Sequence, residues 1–174
     1  MSRKLHIGGQ ESAPGWEIFN ILPGPNVDHV GDAIDLSRFA DDTFAEIYAS
    51  HILEHIPYNL KLEKTICEWH RVLAPGGRMY VSVPDLRILA QLFLRTDLST
   101  KQRHRVMRMM FGGQMDEYDY HYAGIYHEYL VAHLSAAGFV NLRRVPEFGI
   151  FDDTSQNKIV DVLISLNMIA EKAG

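Results

Sequence analysis

The chain has 174 residues, 47% hydrophobic and 22% charged, which is enough for one domain with a full core and too little for two. Its formal net charge of −5 gives no general footprint for nucleic acid, and no apolar run of 18 or more residues marks a membrane span. A single cysteine, Cys67, excludes an internal disulfide and a cysteine-built zinc site; with no long apolar run in "MSRKLHIGGQ", the cytoplasm is the expected location.

In chain order, "RKLHIGG" predicts a short first strand ending in glycines and "WEIFNIL" a second. "PGPN" breaks the chain, and "VDHVGDAIDL" holds a short third strand. "FAEIYAS", with its mix of branched, aromatic and small residues, predicts a buried fourth. Leu62, Ile66, Trp69, Val72 and Leu73 recur at helical spacing, and "APGG" stops that helix before the strand "RMYVSVP". A helical region broken near "TDLST" is expected from Leu86 to Met110, then the loop "FGGQMDEYDYHYAG" and the helix "IYHEYLVAHLSAAG". "FVNLRRVPEF" and "VDVLISLNMIAEK" predict two final strands, an antiparallel pair at the sheet edge.

This order predicts an α/β fold with parallel strands in the middle, formed by residues 1–174 as one domain, with 86–130 as a helical and loop insertion over the substrate side. Ligands of such sheets bind beyond the carboxyl ends of the strands. That rule selects Gly8, Gly9, Asn20, Asp32, the segment Ser50 to His55, and Asp85. Asp32 and Asp85 also suit helix caps. Only six residues separate Gly9 from Trp16, whereas a parallel crossover usually takes a dozen or more. The N-terminal half is therefore expected to lack full crossover helices.

Two clusters carry chemistry. His51-x-x-Glu54-His55 matches a zinc-hydrolase pattern in which both histidines share a helical face and Glu128 would be the third ligand. The strand just before it favours a post-strand loop instead, and no metal ligands are assigned. "DEYDYHYAGIYHEY" gathers His121, His127, Tyr118, Tyr120, Tyr122, Tyr126 and Tyr129. It reads either as a surface loop capping the core or as a lid whose histidines act as bases at neutral pH. Between Arg87 and Arg108 six basic residues face only Asp97. With Leu89, Leu92, Phe93, Leu94, Met107, Met109 and Met110 the stretch is a solvated helical face, a site for an anionic ligand, or a subunit interface of a homo-oligomer through Leu86–Met110.

"FADDTFAEIYASHILEHIP" followed by "EWHRVLAPGGRMYVSVPDL" resembles the class I S-adenosylmethionine-dependent methyltransferases, the type 11 branch in a short form. The resemblance implies a Rossmann-like, seven-stranded sheet with an antiparallel C-terminal strand, and S-adenosyl-L-methionine as cofactor. It implies cofactor contacts at Gly8 and Gly9, Asn20, Asp32 with Ala33, and Ser50 with His51; the histidine-bearing segments themselves offer His55, His121 and His127 as candidate bases. The implied activity is methyl transfer to a small-molecule acceptor of the sugar or glycan-precursor class, without nucleic acid or membrane. Two departures stand out: "GGQ" replaces a G-x-G loop, and Asn20 replaces the acid that holds the ribose. An amide has one accepting oxygen where a carboxylate has two. The alternatives are a non-catalytic relative acting through protein partners and, further off, the zinc hydrolase.

Overall fold

The structure is a computed structural model and describes residues 2–174. Four parallel strands, β1 (Lys4–Ile7), β2 (Trp16–Asn20), β3 (His29–Val30) and β4 (Phe44–Ser50), lead to α1 (Lys61–Val72) and β5 (Leu73–Pro84). Helices α2 (Leu86–Leu94), α3 (Thr100–Phe111) and α4 (His127–Ala136) precede β6 (Phe139–Val145), the small hairpin β7 (Lys158–Ile159) and β8 (Val162–Leu163), and β9 (Ser165–Lys172). The main sheet has seven strands in the order β3-β2-β1-β4-β5-β9-β6. The last strand lies inside the sheet, antiparallel to both β5 and β6, so β6 alone forms that edge.

Local chemistry sets these elements. The buried residues of α1, Leu62, Thr65, Ile66, Trp69 and Val72, form one stripe on the sheet. The "APGG" turn becomes a bulge within β5: Leu73 pairs with Phe44, four residues loop out, and Arg78 pairs with Glu46. Gly77 permits it, because a Cβ there would lie 2.7 Å from the Ala74 carbonyl and 2.9 Å from that of Ala45. Asp85 caps α2, accepting from the Arg87 and Ile88 amides, and Ser99 with Gln102 forms a capping box on α3. The helix expected from Ile125 starts two residues later, because the Ile125 carbonyl accepts the Leu86 amide while Tyr126 stays extended. Expected as one run, the last strand is split: Val160 and Asp161 adopt left-handed backbone, close the β7–β8 hairpin, and let β9 begin at Ser165.

Two parallel pairings lack helical crossovers, as the short spacings predict. Residues 8–15 join β1 to β2, and 21–28 join β2 to β3. Eight extended residues reach roughly 26 Å, enough to return along a five-residue strand. What such connections cannot do is cover the sheet. One sheet face is packed by α1 and α4 around Leu5, Ile7, Phe44, Trp69, Val81 and Leu130. The other bears Trp16, Tyr48, Tyr80 and Ile169, and among the described residues it is covered by the segment after β6, through Phe148, Ile150 and Phe151. Tyr48 fixes this strap by donating to Asp153 Oδ2 at 2.8 Å.

Helices α2 and α3 close on the hairpin around Leu89, Leu92, Leu98, Val106, Ile159 and Ile164. Leu89 and Leu92, named above with a subunit interface, are therefore internal. Phe93, Leu94, Met107 and Phe111 remain outside.

Candidate active site

Two adjoining cavities open beyond the carboxyl ends of β1 to β4. The smaller, about 320 Å³, is lined by Gly8, Asn20, Asp32, Ala33, Ile34 and Tyr122, among others. The larger, about 540 Å³, is lined by Gly9, Ser50, Glu54, Arg108, His121 and Asp153, among others. Gly8, His51, Ile52 and His55 border both. All seven cofactor positions expected from the sequence thus face this double cleft, brought there by the parallel strand ends.

The geometry of each is specific. Gly8 has φ +78°, and its amide donates to the Phe19 carbonyl at 2.8 Å. A Cβ on Gly8 would lie 2.1 Å from Cδ1 of Ile52. We expect Gly8→Ala to cost about 1–2 kcal/mol from the left-handed backbone alone, and to push Ile52 into the cleft; urea unfolding reads the first effect and ligand titration the second. Asn20 is committed to structure: its Nδ2 donates to the Gly9 carbonyl at 2.9 Å and its Oδ1 accepts the Leu22 amide at 3.0 Å. Asp28 sits beside the middle of β2, where its carboxylate accepts the Ile18 amide. Asp32 accepts the Ile34 amide through one oxygen at 3.1 Å and is otherwise exposed. The Ala33 carbonyl accepts the indole N–H of Trp69 at 2.9 Å.

The loop reading of His51-x-x-Glu54-His55 holds. His51 has φ +55° at the end of β4, and Leu53–His55 form a single 3₁₀ turn. Glu128, the third ligand of the zinc-hydrolase reading, lies exposed 3.5 Å from Arg87. His121 instead reaches the turn. The amides of Tyr122 and Ala123 donate to the Glu54 carbonyl at 2.8 and 3.1 Å, which lays the loop 112–126 on it. The His55 and His121 rings then meet edge to face at 4.7 Å. Tyr118 and Tyr122 of the same loop turn to the smaller cavity, while His127 lines neither cavity.

The electrostatics follow from burial. Glu54 is buried with both carboxylate oxygens unpartnered, and burial pushes its pKa up to about 8. Burial lowers His51 to about 3 and His121 to about 4, each also disfavoured by a neighbouring histidine. Burial lowers His55 as well. At neutral pH the three rings are uncharged. His55 Nδ1 faces the Tyr120 carbonyl at 3.1 Å and His121 Nδ1 the Met109 carbonyl at 3.0 Å. A carbonyl only accepts, so both Nδ1 atoms carry the proton and both Nε2 atoms keep a lone pair. His51 Nε2 lies 2.9 Å from Ser165 Oγ, which donates to the Thr154 carbonyl.

His6 is a site residue that motif reading misses. It lines the larger cavity, buried, with Nδ1 unpartnered and its ring 4.1 Å from that of Phe151. A lone histidine in a strand carries no spacing signal; only its place just before the glycine loop hints at the site.

A family model described as a methyltransferase domain matches residues 20–81, the span from β2 into β5. Solved structures share the whole fold at low identity. Over 98% of this chain and 86% of the other, it matches a SAM-dependent methyltransferase from Archaeoglobus fulgidus, at 16% identity and a TM-score of 0.65. Over 99% of the chain and 72% of the other, it matches a Burkholderia thailandensis 1,6-didemethyltoxoflavin-N1-methyltransferase solved with S-adenosylhomocysteine, at 16% identity and a TM-score of 0.59. A protein from Bordetella parapertussis matches at 13% identity and a TM-score of 0.61, over 99% of this chain. The chain spans only 62% of that protein's length, and 49% of a carbon methyltransferase of the same fold. No curated protein matches the chain in sequence. The class I methyltransferase resemblance and the Rossmann-like sheet read from the sequence are both upheld.

Proposed function

We propose that this chain, which shares the fold of class I methyltransferases and matches a methyltransferase-domain model over residues 20–81, binds S-adenosylmethionine in the smaller cavity and methylates a hydroxyl-bearing small molecule held in the larger one. The observation that carries the reading is the double cleft: the ends of β1, β3 and β4 line two chambers that meet at Gly8 and His51. The residues suit the cofactor. Gly8, without a Cβ, lets Ile52 pack against the loop and stay out of the cleft, and Asp32 keeps one carboxylate oxygen free toward an adenine amino group. Asn20 has one amide hydrogen left for a ribose hydroxyl, in place of a full carboxylate.

When bound, the cofactor supplies an electrophilic methyl group on a sulfonium, which would pass in line to a nucleophile as the sulfur leaves with the bonding pair as a neutral thioether. The chain's own part is placement and proton handling. Neutral His55 and His121 present Nε2 lone pairs where the acceptor's proton must go. Arg108 adds positive charge at the rim of that chamber, which favours an acceptor with an anionic group.

Isothermal titration with S-adenosylhomocysteine tests the reading. We expect micromolar affinity, about −8 kcal/mol, and at least tenfold weaker binding for Asp32→Ala, or about 1.4 kcal/mol. The commitment of Asn20 to Gly9 and Leu22 favours one competing reading, a non-catalytic relative. That reading predicts no heat and no thermal stabilisation at millimolar ligand.

A further inference from the structure

We propose that Glu54, His55 and His121 bind a divalent transition-metal ion of the zinc type, facing the larger cavity. One ring nitrogen of each histidine and one oxygen of Glu54 lie within 4.8 Å of one another. Two imidazoles and one carboxylate form a known donor set for such ions, which keep open positions for another ligand.

Three independent features support a ligand set over a packing accident. Both histidines hand Nδ1–H to main-chain carbonyls, of Tyr120 and Met109. That backing fixes the tautomer and leaves Nε2 as the donor, as metal-ligating histidines require. Glu54 is 1% exposed; its Oε1 lies 3.5 Å from His51 Nδ1, and neither carboxylate oxygen makes a hydrogen bond. Ionising so deeply buried a carboxyl is costly, and a cation would offset that cost. The third feature is scaffolding: two amide bonds to the Glu54 carbonyl hold the His121 loop on the turn that carries the other two ligands. Ligand atoms about 2.1 Å from a tetrahedral ion lie roughly 3.4 Å apart, so the three groups need to close by at most about 1.4 Å.

The open positions point to an acceptor oxygen, or a pair of them as in a vicinal diol. An ion there would occupy the Nε2 lone pairs that otherwise take up the acceptor's proton; it would instead hold a bound hydroxyl and lower its pKa, so that the proton leaves to water. This last step rests on the methyl-transfer reading; the ion site does not.

Metal-stripped chain titrated with Zn²⁺ and with Co²⁺ tests the site, with visible absorption reporting Co²⁺ coordination. We expect one ion per chain at micromolar affinity or tighter, and at least about tenfold weaker binding in His121→Ala and in the near-isosteric Glu54→Gln. Circular dichroism checks that each variant is folded, and His104→Ala, at an exposed histidine outside the cluster, should bind as the parent does. No saturable binding by the parent, or binding unchanged in both ligand variants, overturns the proposal. S-adenosylhomocysteine is titrated into the same metal-free sample. Homocysteine-ligand binding without ion binding sinks the metal site alone; ion binding without it upholds the site and counts against methyl transfer.

Discussion

Replacing Trp69 with alanine is expected to lower the stability of the folded chain by about 3–5 kcal/mol, the range for emptying a buried tryptophan site. Trp69 is fully buried where α1 meets the sheet. Its indole N–H is also the donor to Ala33, a residue lining the smaller cavity. One side chain therefore serves both the core and the site. Urea unfolding separates the two roles. With a denaturant slope near 2 kcal/mol per molar, Trp69→Ala should lower the midpoint by roughly 2 M. Trp69→Phe keeps a buried ring but removes the hydrogen bond and part of the indole volume, so it should cost about 2 kcal/mol while weakening S-adenosylhomocysteine binding. Equal stability losses for the two variants would show that packing is not the larger contribution.

Acid should destabilise the chain well above the range of ordinary carboxylates, and His6 is a main cause. Its pKa is lowered from 6.5 to about 4, chiefly by burial, against a partial opposing pull from Asp153. Trp16, Tyr48 and Phe151 pack its ring and offer no positive or negative charge at neutral pH. The folded state holds His6 neutral, while the unfolded chain takes up a proton below about pH 6.5. Its full contribution is thus present above pH 6.5 and is lost as pH falls toward 4. At pH 4.5 the loss is about 2–3 kcal/mol. His6→Leu, similar in volume and without a polar atom, should be within about 1 kcal/mol of the parent at pH 7. It should be more stable than the parent at pH 4.5. Chemical denaturation at the two pH values decides it; parallel curves for both proteins would remove His6 as a cause. The half-buried His51 and His121 act in the same direction. Glu17, lowered to about 2 chiefly by its hydrogen bond from Arg3, adds a loss only below about pH 4.5.

Much of the fold is legible in residue pattern because burial has a period. "FAEIYAS" reads as a strand and is one, and the stripe from Leu62 to Val72 reads as the helix it forms. The six-residue gap before Trp16 correctly rules out a crossover helix, since connection length is a matter of reach. The site is only half legible. Strand ends mark Gly8, Asp32 and His51 without any knowledge of side-chain partners. Which partners are already engaged is a different question, and Asn20 shows it: two hydrogen bonds to Gly9 and Leu22 stand where the family pattern places a ribose contact. His121 is readable as a candidate base, yet its meeting with His55 depends on a loop path set by amides of Tyr122 and Ala123. No local spacing encodes that contact. The placement of β9 inside the sheet is equally silent, because both β5 and β6 offer it an antiparallel partner.

The short connections of the N-terminal half also bear on how the chain folds. Lys4 pairs with Trp16 and Phe19 with His29, contacts twelve and ten residues apart along the chain. Parallel pairs are slow to form when their partners are far apart in sequence. Here the search is local. Closing a loop of eight residues in place of one near twenty saves about 0.8 kcal/mol of chain entropy. Three strands with no helix between them can therefore assemble early, as a parallel ribbon, before the distant strap carrying Phe148 and Phe151 arrives to cover one face.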